Sequence, residues 1–474
     1  MIRYLLKNFI RSKIHPIGLI LLLISGLISL EIGARFLNRT AQVSEKTAIH
    51  QQENIQRNVS YFSSGMGDLM YYLKFGLENE APRLAGLSIG QRDVYPSLQS
   101  LTVRNLEEQR YATDLMNPLF QLLGNMDFSF VLIYLFPLVI IAFGFNLISE
   151  EKEGGTWSLI RSQASSPIHF LRQKLGIRLG SILLVLFILL GVGKIYLDIP
   201  VDLPFLVFGV VSVLYVLFWF ALTWLVVSFQ LNSSQNAQVL LSLWVLLNLL
   251  LPAGINILQR WLFPVPEAMT TVIQNREGYH TQWDKPKEPT LEKFYAKYPE
   301  YQTFVHPKEA DFSWLWYFAM QQAGDEEAKS EVENLKSKLS KRQELAKQLG
   351  WMIPSVHTQL SMNSLSLSDL GNYLHYLAAL EGFHEKLKGY FFPKIFSNSP
   401  VLEENWGRFE LEKFRDAPSI NWIQILAPFA CTYLVLLLWA TSNFRKSGLL
   451  SYKKNHHDRS KKTHQVLRRS FSPE

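Results

Sequence analysis

Residues 175–229 read LGIRLGSILLVLFILLGVGKIYLDIPVDLPFLVFGVVSVLYVLFWFALTWLVVSF. The stretch consists of two apolar runs, 175–197 and 203–229, on either side of a five-residue turn, 198–202. Each run is long enough to cross the hydrocarbon core of a bilayer, which needs about 20 helical residues. Because a short turn can only join neighbouring antiparallel helices, the stretch predicts a transmembrane hairpin.

The same kind of apolar run occurs four more times along the chain. Hydrophobic residues make up 48% of the sequence and are concentrated in these runs, so membrane spans explain them better than one large soluble core. The first run is the weakest because Glu31 lies near its end and a basic flank precedes it, as in a signal peptide. The absence of a small-x-small cleavage site favours a retained span. The six predicted spans are 16–35, 128–148, 175–197, 203–229, 239–257 and 421–441.

Long polar segments separate the spans. Residues 36–127 and 258–420 predict two large, mainly helical domains, the second with a helix over 325–349. Residues 1–15 predict a basic amphipathic helix at the membrane surface. A charged connection, 149–174, and a basic tail, 442–474, complete the chain. The predicted fold class is therefore an all-α polytopic membrane protein with six transmembrane helices.

The charge distribution predicts the orientation of these spans. The N-terminal segment, the 149–174 connection with nearby Arg178, and the tail together carry 18 Lys and Arg against five Asp and Glu. The segments 36–127 and 258–420 carry eight against ten and 19 against 22. Since cytoplasmic loops are enriched in Lys and Arg, both termini are predicted to be cytoplasmic and both domains extracytoplasmic. The basic tail then favours contact with anionic lipid, and the nucleic-acid interpretation of the net charge is not needed.

Several classes of protein are disfavoured by what the sequence lacks. Gly193 and Lys194 form its only Gly-Lys pair, inside a span and without the upstream glycine of a phosphate-binding loop. His384 and Glu385 resemble the start of a zinc-binding helix, but Lys388 occupies the position of the second histidine. Spans two to six have no central carboxylate, which disfavours an ion-coupled carrier. The sequence thus predicts no bound cofactor, no metal and no enzyme activity.

The stretch at 147–167, LISEEKEGGTWSLIRSQASSP, is the most informative connection. Three carboxylates follow the second span directly, the glycine pair then breaks the helix, and Thr156 can cap a short second helix through Leu159 and Ile160. A helix, a break and a second helix on the inner surface form a suitable docking surface for a soluble partner. An ordinary interfacial loop is the alternative.

At these positions the chain resembles the membrane-spanning permeases of type-2 ABC transporters. The resemblance rests on an acidic stretch, a Gly-Thr step, a Leu-rich turn and a Ser-Gln pair, which Pro167 follows. The resemblance implies that the stretch is a coupling helix that contacts a separate ATPase. The implied coupling residues are Glu150, Glu151, Glu153, Gly154, Gly155, Thr156, Leu159, Ser162 and Gln163. The second glycine, Gly155, is a departure from the commoner pattern.

Further segments resemble a subgroup of these permeases with two large extracytoplasmic insertions. They are Asn117-Pro118-Leu119, Gly124, Asp127, Pro137-Leu138, Phe263-Pro264-Val265-Pro266, residues 365–373 and Phe391-Phe392-Pro393. The resemblance implies an exporter in a bacterial cytoplasmic (inner) membrane that pairs with itself or with a sibling permease. Its cytoplasmic ATPase subunits would hold ATP and magnesium. A membrane-anchored scaffold or sensor, which binds an envelope partner through its outer domains, is the alternative function.

Overall fold

A computed structural model of the protein describes residues 2–111, 125–163, 166–265, 273, 276–278, 280–307 and 310–449. Within these residues, six helices are long and apolar enough to cross a membrane, which confirms the predicted number of spans. The fold is mainly helical, but a small three-stranded sheet departs from the predicted all-α class. We call them spans 1 to 6. Their bounds are Ile14–Tyr61, Phe128–Glu153, Pro167–Tyr196, Leu203–Ser228, Ser233–Leu262 and Trp422–Lys446.

Span 1 is much longer than its predicted apolar part, 16–35. It continues as one helix of 48 residues to Tyr61, a length of about 72 Å. No glycine or proline occurs between Ala34 and Tyr61, so nothing in the polar part interrupts the helical hydrogen bonds. Hydropathy shows where the apolar surface ends and carries no information about where the helix ends.

Spans 2 and 5 share an irregularity. Each contains a five-residue π-helical segment, Val131–Leu135 and Leu246–Leu250, and a proline follows two residues later, at Pro137 and Pro252. Proline has no N–H and disturbs the carbonyls of the preceding turn, so the wider π-turn accommodates it. The irregularity that the sequence predicted at Pro137 is thus a π-helical segment just before the proline.

Side chains from neighbouring helices satisfy carbonyl groups beside both irregularities. The Tyr215 hydroxyl of span 4 lies 3.0 Å from the carbonyl oxygen of Ile133, which is the α-helical acceptor for position 137. The Ser355 hydroxyl donates to the carbonyl of Leu247 at 2.5 Å. Because an unpaired carbonyl is costly in an apolar bundle, these contacts hold the two broken spans in one arrangement.

The two polar segments share one core in the structure. β1 (Phe75–Asn79) pairs antiparallel with β2 (Leu98–Leu101) and parallel with β3 (Glu412–Phe414), so one sheet joins residues more than 300 positions apart. One buried cluster contains Met70 and Leu101 from the first segment and Phe318 and Phe391 from the second. The sequence predicted two domains; we describe the two segments together as the polar unit.

Several helices outside the spans build the polar unit and the membrane surface. The predicted helix at 325–349 begins earlier, at Trp314, where the Ser313 hydroxyl accepts a hydrogen bond from the N–H of Trp316 at 3.2 Å. Among the described residues, the α-helices outside the spans are Ile2–Arg11, Met66–Tyr72, Leu106–Tyr111, Trp157–Gln163, Lys287–Lys297, Trp314–Gly350, Pro354–Leu365 and Leu370–Phe396. Short 3₁₀ turns lie at Arg83–Gly86, Gln282–Asp284, Pro299–Tyr301, Val401–Glu403 and Trp406–Arg408.

The helix Pro354–Leu365, which we call the inserted helix, enters the bundle of spans from the polar unit. His357 lies 3.0 Å from the carbonyl of Ile425 in span 6. Met362 is fully buried, and its sulfur accepts a hydrogen bond from the Ser129 hydroxyl of span 2 at 3.3 Å. At 12 residues, with several polar side chains, this helix has no transmembrane signal in the sequence.

Spans 1 and 2 make close contacts with the polar unit where they leave the bundle. A Cβ at Gly33 would lie 1.9 Å from the carbonyl oxygen of Gly86, so the two backbones touch. The Asp127 carboxylate caps span 2 by accepting from the N–H of Phe130 at 2.8 Å, and it also accepts from the N–H of Ile89 at 2.8 Å. The polar unit is thus fixed to one end of the bundle.

Candidate functional site

The predicted helix, break and second helix are present at residues 149–163, which we call the bend segment. Its helices are Ser149–Glu153 and Trp157–Gln163. The N–H of Gly154 closes the first helix on the carbonyl of Glu150 at 2.9 Å. Gly155 has a φ of 72°, the left-handed conformation that favours glycine after a helix. The second glycine is therefore the residue that turns the chain between the two helices.

Two of the three carboxylates bind cations of span 3. The Lys174 ammonium lies 2.9 Å from Oε2 of Glu150 and 2.9 Å from Oε1 of Glu151. The Arg178 guanidinium lies 3.7 Å from Glu150. Lys174 is only 13% exposed, so this ion pair is less screened by solvent than a surface pair. The first helix of the bend segment is thereby tied to span 3.

The remaining charges of the first helix bind the connection between spans 4 and 5. The Glu153 carboxylate accepts from the backbone N–H of Ser233 at 2.9 Å and from its hydroxyl at 2.8 Å. The Lys152 ammonium donates to the side-chain oxygen of Gln230 at 3.0 Å. One short helix thus contacts span 3, the start of span 5 and the connection between spans 4 and 5.

The role predicted for Thr156 is wrong in its detail. Its hydroxyl donates backwards to the Glu151 carboxylate at 2.5 Å, where the sequence predicted that it would cap the second helix. The Thr156 backbone carbonyl accepts from the N–H of Ile160 at 3.0 Å and begins that helix. The hydroxyl therefore braces the two helices against each other.

The second helix presents a free surface. Trp157 and Ile160 pack against the hydrophobic core of the bundle. Leu159 lies on the other side and is 53% exposed, between the exposed residues Ser158 and Ser162. An exposed apolar side chain within polar neighbours is a suitable contact for a soluble protein.

The structure thus separates the predicted site residues into two groups. Glu150, Glu151 and Glu153 face the protein's own spans, whereas Leu159 and Ser162 face outward. The side chain of Gln163 lies outside the described residues. Sequence reasoning missed the anchoring partners of the carboxylates. Lys174 and Arg178 were read only as topology signals, and nothing in the local pattern marks Gln230 or Ser233.

The N-terminal helix and the end of span 6 lie at the same end of the bundle as the bend segment. The ring of Phe9 packs edge-on against Phe143 of span 2 at 5.8 Å. The side-chain amide of Asn443 donates to the Ser228 hydroxyl at 3.0 Å. The N-terminal helix, the bend segment and the start of the basic tail thus lie at one end of the bundle, and the polar unit occupies the other. The tail beyond residue 449 lies outside the described residues.

Other positions of the resemblance are only partly described. Asn117, Pro118, Leu119, Gly124 and Pro266 lie outside the described residues. Asp127 and Pro137 are described, and each has a structural role at the entrance to span 2.

These features define a multi-pass helical membrane protein. In comparisons with known proteins, residues 268–415 match the family described as Domain of unknown function (DUF3526). The matched part lies in the polar unit and includes the inserted helix. No curated protein and no solved structure matches the chain.

Proposed function

We propose that the chain is the membrane-spanning permease subunit of an ABC transporter, an exporter driven by separate ATPase subunits that dock on the bend segment. The proposal rests on one observation about the bend segment. Its second helix exposes Leu159, whereas its first helix is bound to spans 3 and 5. The end that carries the bend segment is the cytoplasmic end, in accord with its excess of Lys and Arg.

The contacts of the bend segment suit the transmission of force. A protein that binds around Leu159 pushes on a helix braced by Thr156, and the first helix passes the displacement to spans 3 and 5 through Lys174 and Ser233. Closed ATPases would favour one arrangement of the spans and open ATPases another, so their binding energy shifts an equilibrium between two states. A second copy or a sibling permease completes the transporter.

The proposal gives different roles to residues of the bend segment that the sequence analysis placed in one coupling site. The three carboxylates are positioning residues that hold the first helix, and the docking contact falls on the second helix. ATP and magnesium belong to the ATPase, and this chain carries transport without its own nucleotide site.

The test is co-purification in detergent with a candidate ABC ATPase, if one is encoded beside the gene, for the wild type and two variants. Leu159→Asp places a charge in the docking surface and should reduce ATPase recovery about tenfold or more. Val305→Asp is the matched control, because Val305 is 77% exposed on the polar unit, at the opposite end of the protein. It should leave recovery unchanged.

The proposal fails if no ATPase co-purifies with the wild type, or if both variants retain it equally. Failure with the wild type would favour the scaffold or sensor function, in which the polar unit binds an envelope partner.

A further inference from the structure

A cavity of about 320 Å³ lies where the polar unit meets spans 2 and 5. Its walls come from the inserted helix, the end of the helix Trp314–Gly350, the first residues of span 2 and the last turns of span 5. Its volume is at the lower end of small-molecule sites, which measure roughly 300–1,000 Å³. It is well separated from the bend segment, at the other end of the bundle.

The two charged residues of the cavity wall are already engaged within the protein. The Arg342 guanidinium donates twice to the carbonyl of Phe263, at 2.8 and 2.5 Å. The Asp369 carboxylate caps a helix through the N–H of Asn372 at 3.0 Å and accepts from Gln343 at 3.1 Å. One cation and one anion, both bound, leave a wall without net charge. A charged ligand would lose its hydration without gaining an opposite charge.

Side-chain amides dominate the polar part of the wall. Gln91 and Asn256 form no side-chain hydrogen bond within the described residues, and both line the cavity. Gln259 donates to the carbonyl of Arg342 at 2.7 Å, and Gln359 donates to Asn363 at 2.8 Å. The amide oxygens of both donors remain available among the described residues. The wall therefore offers donors and acceptors without charge.

The apolar part of the wall provides flat and aromatic surface. Ile255 and Leu360 line it, together with Tyr134 and Tyr95. The Tyr95 ring is itself fixed by stacking on Tyr373, with the centroids 4.0 Å apart. A fixed aromatic ring costs little entropy when a ligand packs on it.

From this combination we infer that the cavity binds an uncharged, polyhydroxylated molecule with one or two sugar rings. A hydroxyl group both donates and accepts, as a carboxamide does, so vicinal hydroxyls match a wall of amides. The C–H faces of a sugar ring match the aliphatic and tyrosine surfaces. Because residues of spans 2 and 5 line the cavity, the sugar can be free or can be the headgroup of a membrane lipid.

The test uses the full-length protein in phosphatidylcholine nanodiscs, without sugar-headed detergents and without any ATPase. Thermal unfolding is measured with maltose as the free neutral sugar, and in nanodiscs that contain diglucosyl-diacylglycerol as the lipid form. Glucuronate and the dipeptide Gly-Leu serve as anionic and zwitterionic probes. We expect saturable stabilisation by maltose, by the glycolipid or by both, and none by the charged probes.

The variant Asn256→Leu removes a free amide and should weaken the apparent affinity by about fivefold or more. Gln91→Leu is a second variant, in the part of the wall that the polar unit supplies. Gln302→Leu, exposed on the polar unit and outside the cavity, is the matched control. Stabilisation by maltose alone identifies a free sugar, and stabilisation by the glycolipid alone identifies a headgroup.

The inference is overturned if neither sugar form stabilises the wild type, if the two cavity variants bind like Gln302→Leu, or if a charged probe binds more tightly than the sugars. Since no ATPase is present, these outcomes are independent of the proposed transport function.

Discussion

At one end of the bundle the backbone of span 1 touches that of the polar unit, and the inserted helix occupies space among the spans. At the other end the bend segment meets its neighbours through a few side chains, chiefly Lys174, Gln230 and Ser233. Backbone contacts tolerate almost no displacement, whereas ion pairs between flexible side chains can lengthen or re-form. The comparison indicates a rigid polar end and an adjustable end at the bend segment.

The largest effect is expected from Gly33→Ala at the rigid end. The new Cβ would lie 1.9 Å from the carbonyl oxygen of Gly86, and backbone on both sides must move to admit it. We expect a loss of about 3 kcal/mol or more in stability, seen as a lower thermal midpoint and poorer yield. Gly191→Ala in span 3 is the control, because its Cβ would meet no heavy atom within 4 Å. Equal behaviour of the two variants would refute the close contact.

The next effect concerns pH and the core of the polar unit. Burial raises the pKa of Glu107 from 4.5 to about 7, although Arg110 lies 2.8 Å away. Between these values the folded chain keeps a proton that the unfolded chain releases. The stability contributed by Glu107 therefore falls as the pH rises through this window, by up to about 3 kcal/mol.

The Gln side chain of Glu107→Gln cannot ionise, so this variant should lose the decrease in stability between pH 4.5 and 7. The substitution can also change stability by an amount that does not depend on pH, and this does not affect the slope. Unfolding of the polar unit at pH 5, 6 and 7 measures the slope, with the exposed Glu292→Gln as control. A slope in Glu107→Gln as steep as that of the control would contradict the prediction.

A smaller effect is expected at the adjustable end. Lys174→Gln removes the partner of Glu150 and Glu151 and should cost about 2 kcal/mol locally, because the pair is only partly exposed. Amide hydrogen exchange should become faster in the bend segment and stay unchanged in the polar unit. Arg172→Gln, an exposed residue of the same helix, is the control. Faster exchange throughout the chain would show that the two ends are not independent.

The sequence predicts the parts of this fold that local patterns determine. Apolar runs reveal the six spans, and the glycine pair at 154 and 155 reveals the break of the bend segment. The pairing of β1 with β3 could not be predicted. A three-residue strand so far along the chain has no local sequence signal that identifies the strand with which it pairs. The inserted helix was missed because its burial comes from four spans and not from its own composition.

The candidate site was predicted in position but not in the roles of its residues. The acidic run was interpreted as part of a docking surface, because a sequence shows which side chains are charged but not the direction in which they point. The partners that turn Glu150 and Glu153 inward belong to spans 3 and 5 and lie about 20 and 80 residues further along. Only the three-dimensional arrangement of the spans brings them together.

The unbroken helix of span 1 makes the polar unit sensitive to small rotations within the membrane. From Gly33 to Tyr61 the helix projects about 42 Å beyond its contact with Gly86. A rigid rod of that length acts as a lever arm, and a tilt of about 10° at its pivot moves its tip by about 7 Å. A tilt of this size in span 1 would thereby be amplified into a displacement as large as a side chain at the end of the helix.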